Sequence, residues 1–217
     1  MQTEQLKAVQ RPVVKFRRMK DRRRSLIMEA ALKCFAQNSV AAVGIADIAK
    51  AAKISVGTFY LYFRKKEDLL LQLLDESARE LRQTLAEAFN LEGQPLDRFE
   101  CAGRAFFRKF CNDQREMLIL ILRESIGVSS EIEEKRKKIF QLLINDITGA
   151  IDQVRGAKGR REKRHAEVVA VSILGMLERV AYHYYIWQTG SKDLRKVEDE
   201  ALAFIRDGLG SVLNRGN

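Results

Sequence analysis

The sequence predicts an all-α protein, and three observations carry that reading. Only two prolines, Pro12 and Pro95, occur in 217 residues rich in Leu, Ala, Glu, Lys and Arg, too few breakers for the many turns of a sandwich or barrel. Apolar residues recur at spacings of three and four in segment after segment. A hydrophobic content of 46% is enough to bury a core, in one large domain or two modest ones.

Residues 1–21 lack apolar periodicity and read as a basic, flexible arm carrying Lys15, Arg17, Arg18 and Lys20. A helix begins at Arg22, with Ile27, Ala30, Ala31, Cys34 and Phe35 forming one stripe that ends near Asn38 and Ser39. A short helix follows over Ile45–Ala52, then a second opened by Ser55 as N-cap and running to about Tyr62. Two short helices across a tight turn are a helix-turn-helix, so residues 22–66 form one domain. Residues 67–92 form a connecting helix, with Glu67 and Asp68 in its first turn where the helix dipole favours them. The break at 90–95 opens a second helical domain, 93–217, with helices near 96–111, 114–126, 131–155, 163–188 and 193–214. The glycine-interrupted basic stretch 155–164 reads as an exposed loop, and Lys135–Lys138 as a solvated run paired along its helix with Glu131, Glu133 and Glu134.

Charge narrows the function. Residues 1–66 hold 15 Lys and Arg against four acids, a net of +11, whereas residues 67–217 carry a net of −1. Such segregation points to a polyanion partner for the first third of the chain. Three cysteines without a CxxC pair support neither a disulfide framework nor a zinc ribbon and point to a reducing compartment. The longest apolar run, Met117–Leu122, has six residues, and no apolar segment follows the basic N-terminus, so a cytoplasmic protein without membrane contact is expected. His165 and His183 lack zinc spacing, and neither a nucleophile elbow nor a phosphate-cradling glycine loop is present. No catalytic residue, metal site or cofactor is therefore expected.

The words Ile27–Ala36, Ile45–Ala52, Ser55–Phe63 and Lys66–Leu70, in register over about fifty residues, resemble the N-terminal domain of the TetR family of bacterial transcriptional repressors. The residues support DNA recognition independently. A helix entering a major groove about 12 Å wide needs an apolar rear and a small, hydrogen-bonding front. Ile54, Phe59 and Phe63 can supply the rear, and Ser55, Val56, Gly57, Thr58, Tyr60, Leu61 and Tyr62 the front and flanks. Hydroxyls on Thr58, Tyr60 and Tyr62 and the charge on Lys66 suit phosphates, and Gly57 permits close backbone approach. Arg17, Arg18, Arg22 and Arg23 extend the basic surface from the arm. The resemblance implies that Val56, Gly57 and Tyr60 lie towards base edges, and Thr58, Tyr62 and Lys66 towards phosphates. Three departures weaken direct readout: Val43-Gly44 replaces two threonines, leaving only the Gly44 backbone for a phosphate; Ala46 replaces a long polar residue; and Lys53 stands where glycine usually makes the turn.

The helix near 163–188 is apolar nearly all round, so one side is expected to meet another chain. The resemblance implies the same twofold dimer, here with Val169, Ile173, Val180, Leu194, Val197, Ala201, Phe204, Ile205 and Leu209 at the interface. Such a dimer suits a palindromic double-stranded operator. The resemblance also implies an effector pocket for a small, largely apolar molecule. Candidate lining residues are Phe106, Phe110, Met117, Ile121, Phe140, Ile144, Met176, Tyr184 and Trp187, with Arg123, Glu124 and His183 nearest a head group. The combined reading is a TetR-like dimeric regulator, a repressor released by its ligand. The alternative is a constitutive DNA-binding architectural or interaction protein of the same fold without an inducer.

Overall fold

The computed structural model describes residues 21–91, 93–155, 160–188 and 193–214, and all regular structure among them is helical. The chain divides into two compact units, Met1–Leu73 and Leu74–Asn217, so the boundary falls inside the expected connecting helix rather than at either of its ends.

In the N-terminal unit, α1 covers residues 21–37 and buries Ile27, Met28, Ala31 and Phe35 at helical spacing. It ends where Asn38 N–H bonds the Cys34 carbonyl at 2.9 Å. The helix α2 (Ile45–Ala51) is followed by α3 (Val56–Tyr60). Between them the backbone closes as a Schellman turn: Ile54 N–H reaches Ala49 O at 2.9 Å, Lys53 N–H reaches Lys50 O at 3.1 Å, and Lys53 adopts φ 55°. The left-handed conformation that glycine would take freely is thus imposed on a lysine, at a cost of about 1 kcal/mol. The long helix α4 (Lys66–Phe89) starts in this unit, where Leu69, Leu70 and Leu73 close a core built on Phe35, Ile48, Phe59 and Phe63.

The C-terminal unit holds the rest of α4 and five further helices. Pro95 sits at the first position of α5 (Pro95–Ala105), its missing N–H costing nothing there. The helix widens into π-helical turns over Phe106–Asp113 and breaks at Gln114 (φ −118°, ψ 41°). The segment α6 (Arg115–Ile119) widens likewise over Leu120–Glu124. Then come α7 (Ser130–Arg155), α8 (Arg160–Ala181) with π-helical turns over Tyr182–Trp187, and α9 (Leu194–Asn214). Within the expected loop at 155–164, residues 156–159 lie outside the described ones and α8 already starts at Arg160. Within the basic run, Arg136 pairs along α7 with Glu133 at 3.5 Å, and Lys135 reaches across to Asp75 of α4 at 2.8 Å.

The side where α5 meets α9 is tightly fixed. A β-carbon at Gly103 would collide with Leu202 Cδ2, the end of a buried side chain that would have to shift to admit it. Arg206 bridges Asp97 and Glu100 at 2.9 and 2.8 Å, and Arg104 joins Glu100 to Asp199. The buried Glu198 carboxylate accepts from Arg108 Nε at 3.0 Å and the Tyr185 hydroxyl at 3.2 Å. Burial first, and then the Glu198 charge, raises the Tyr185 phenol far above its usual range, so it remains a donor. Gly103→Val is expected to lower unfolding free energy by about 1–3 kcal/mol through overpacking. Gly149→Ala, where α7 leaves open space, should raise it by about 0.5–1 kcal/mol; urea denaturation of both checks the contrast.

Candidate nucleic-acid interface and ligand cavity

The N-terminal unit presents α3 with its rear buried and its front open. Phe59 and Phe63 are in the core, whereas Val56, Gly57 and Leu61 are exposed, and Tyr60 keeps 53% of its surface with its ring edge-on to Phe59 at 5.7 Å. Tyr60 is therefore a surface residue, not a core aromatic. Ser55 Oγ caps the helix by accepting from Thr58 N–H at 3.1 Å, and the two hydroxyls lie 2.9 Å apart, so both are engaged locally. Thr58 and Tyr62 are half-buried at the flanks. At Gly57 an added β-carbon would meet nothing nearer than Ser55 Oγ at 3.8 Å. Nothing among the described residues demands glycine there.

Two expected contacts are corrected by hydrogen bonds. Gly44, expected to offer its backbone N–H to a phosphate, donates it to Asp47 Oδ2 at 2.8 Å, closing the first turn of α2. Lys66, expected to clamp a phosphate, donates to Val40 O at 2.6 Å and Val43 O at 2.8 Å. Two of its three donors are spent inside the fold, which makes it a half-buried strut. Of the basic residues, Arg22 and Arg23 are exposed on α1, Arg24 donates to Gln72 with its guanidinium 5.9 Å from the Phe63 ring, and Arg17 and Arg18 lie outside the described residues.

The C-terminal unit contains a cavity of about 670 Å³, within the range of small-molecule sites. Its floor is apolar: Phe99, Leu143, Ile147, Ile173, Leu177 and Ile205, with Phe89 at one end. Its mouth is polar and exposed, with Arg79, Gln83 and Asn90 from α4 and its end, and Asn145, Asp146 and Gln153 from α7. Small residues, Ala86, Ala102, Gly103, Gly149 and Ala150, leave the space open. Arg82 and Asp146 form a bidentate pair at 2.5 and 2.8 Å, which holds the guanidinium in its charged form even more firmly than usual. With the two side chains 37% and 45% exposed, solvent limits the pair to at most about 1 kcal/mol.

None of the twelve residues expected around a ligand lines this cavity. Phe106, Phe110 and Ile121 are packed in the core, and Met117 and Ile144 are half-buried. Phe140 lies under Arg136, whose guanidinium is 5.6 Å from its ring. Arg123 and Glu124 pair with each other at 2.6 Å, His183 Nε2 lies 2.8 Å from Gln188 Nε2, and Trp187 is 61% exposed. Met176 and Tyr184 line a separate groove of about 690 Å³ between α8 and α9, together with Val180, Val197, Ala201 and Phe204. The expected dimer residues divide accordingly. Phe204 is 72% exposed, and Val169 and Leu194 are half-buried, but Ile173 and Ile205 line the cavity and Leu209 is buried within its own chain. Val168 and Val171, on the same nearly all-round apolar helix, are more exposed than Val169.

Comparison with known proteins bears first on the N-terminal unit. Residues 27–73 match the description "Bacterial regulatory proteins, tetR family". An uncharacterized HTH-type transcriptional regulator, YuxN of Bacillus subtilis, is 28% identical over 155 residues, 70% of this chain and 51% of the relative, so the match spans about half of that protein's length. The fatty acid degradation regulator FadR of Bacillus halodurans has the same fold, with a TM-score of 0.74 at 20% identity over 86% of this chain and 96% of that one. FadR of Bacillus subtilis, solved in complex with stearoyl-CoA, gives 0.69 at 20% identity over 85% and 98%.

Two substitutions separate structural from recognition roles in the N-terminal unit. Gly57→Ala is expected to raise thermal stability slightly, by about 0.5–1 kcal/mol, while weakening DNA binding, because the new methyl stands on the open face. Thermal melts and fluorescence anisotropy on the same samples check it. Lys66→Met is expected to cost about 1–3 kcal/mol by leaving the Val40 and Val43 carbonyls without their donor. A Lys66→Met protein as stable as its parent in urea would remove the strut assignment.

Proposed function

We propose that the chain belongs to the tetR family of bacterial regulatory proteins, whose description residues 27–73 match, and that it is a homodimeric transcriptional repressor released from a palindromic operator by a small, largely apolar effector. The observation that carries the reading is the α3 surface, where Val56, Gly57, Tyr60 and Leu61 stand exposed over a buried Phe59 and Phe63. Tyr60 and the Gly57 backbone read the groove, Val56 and Leu61 meet thymine methyls, and Thr58, Tyr62, Arg22 and Arg23 meet phosphates. With no side chain on α3 suited to a bidentate bond to guanine or adenine, DNA shape carries much of the specificity.

The dimer forms through α8 and α9. Exposed Val168, Val171 and Phe204, beside the groove lined by Val180 and Val197, make an apolar surface of the kind that is buried between subunits. The effector occupies the amphipathic cavity, and an acyl chain suits its apolar floor, each buried methylene contributing about 0.8 kcal/mol. The stearoyl-CoA complex of a protein of the same fold supports an acyl compound as the ligand class. Effector and operator favour different arrangements of the dimer, so each weakens binding of the other by the same factor.

Selection from random duplexes should yield twofold-symmetric sites, and stearoyl-CoA added to the selected complex should release the DNA. Equal affinity for selected and random duplexes at every salt concentration would leave only a non-specific binder. Phe204→Glu is expected to give monomers by light scattering and to cost operator affinity while leaving the monomer folded. A Phe204→Glu dimer as tight as the parent would move the interface elsewhere.

A further inference from the structure

The cavity mouth sets one cation and one anion against each other on the path a ligand must take. Arg82 of α4 donates from Nε and Nη2 to the two carboxylate oxygens of Asp146 on α7. Both residues line the cavity. This fork is the geometry in which a guanidinium recognises a carboxylate or phosphate, and here a side chain of the protein occupies it. Arg79, paired along α4 with Glu76 at 3.1 Å, is a second cation on the rim, whereas Asp146 is the one acid among the lining residues.

We propose, resting on the reading of this cavity as the effector site, that Arg82 is the residue that reads the effector's head group and that Asp146 stands in for it when the site is empty. The ligand class is then an apolar chain ending in an anion, either a free carboxylate or the phosphates of a thioester. A neutral ligand gains nothing from Arg82, which already has its partner. A cationic one meets two arginines and a carboxylate that is already engaged. An anion, by contrast, takes the place of Asp146 on Arg82. The displaced carboxylate, already 45% exposed, turns into water, so no buried charge is left behind. The chain behind the head group lies over Leu143, Ile173 and Leu177.

The test is calorimetric titration of the full chain with decanoate, decanoyl-CoA and decan-1-ol, which share a chain and differ in head group. At least one anionic probe should bind about tenfold or more tightly than the alcohol. Decanoate ahead of the thioester identifies a free acid as the preferred source of the anion, and the reverse order identifies the thioester. Asp146→Asn removes the resident competitor and should tighten the preferred anion at least about fivefold while leaving the alcohol unchanged. Arg82→Gln should bring the anion down to the alcohol's affinity, with melting temperature measured alongside for both variants. Equal binding of all three probes by the parent, or an anion preference that survives Arg82→Gln, overturns the head-group assignment while leaving the cavity as the effector site. Binding of none of the three overturns both.

Discussion

Two buried carbonyls, those of Val40 and Val43, impose the constraint on which the N-terminal unit depends. They sit where the chain turns from α1 to α2, on residues almost wholly removed from water, and a buried acceptor without a donor costs about 1–3 kcal/mol. Lys66 supplies both bonds from the first position of α4. One ammonium thus ties the connection ahead of the helix-turn-helix to the helix that follows it, with α2 and α3 between. The packing of Phe59 and Phe63 against Phe35 and Leu70 then needs no polar group of α3, whose outer face is left free. A second device works in the same sense. The Schellman turn at Lys53 satisfies the last carbonyls of α2 with backbone donors alone, and the strained lysine leaves its charge outside.

The division of charge has a matching physical logic. Among the described residues of 21–66 every Lys and Arg except the half-buried Lys66 is exposed, and two of the acids are used locally: Asp47 binds the Gly44 N–H, and Glu29 pairs with Lys33 at 2.8 Å. That pairing draws the Glu29 carboxyl below its usual range. In the C-terminal unit, acids and bases are instead spent on each other between helices, as at Arg206, Arg104 and Arg108. A basic surface kept unbalanced attracts a polyanion over a Debye length, whereas a balanced one serves packing.

Helix positions were legible because they depend on short-range signals. The stripe of Ile27, Ala31 and Phe35, Ser55 as a cap, and the break ahead of Pro95 all report local backbone preference and the burial of one face. The roles of Gly44 and Lys66 differ in kind. The Lys66 bonds span 26 and 23 residues, so no window of sequence contains both partners, and a lysine beside a recognition motif looks like a phosphate ligand until its carbonyls are seen. The cavity was hidden for another reason. A space is made by what is absent, and Ala86, Ala102, Gly103, Gly149 and Ala150 give no signal on three separated stretches of chain, whereas the conspicuous aromatics at 182–187 point to a surface where Trp187 stands in solvent. Residues as large as Phe106 and Phe110 fill a core precisely because they leave no room for a guest.

That cavity is held unequally on its two sides. Where α5 meets α9, a glycine contact against Leu202, bridged arginines and the buried Glu198 lock the helices together. Where α4 meets α7, the polar ties are Arg82 with Asp146 and Lys135 with Asp75, both in contact with solvent and each worth at most about 1 kcal/mol. A tightly packed core resists small displacements, whereas two solvated ion pairs exchange partners at little cost. The polar ties between α4 and α7 are therefore the weaker of the two sets around the cavity.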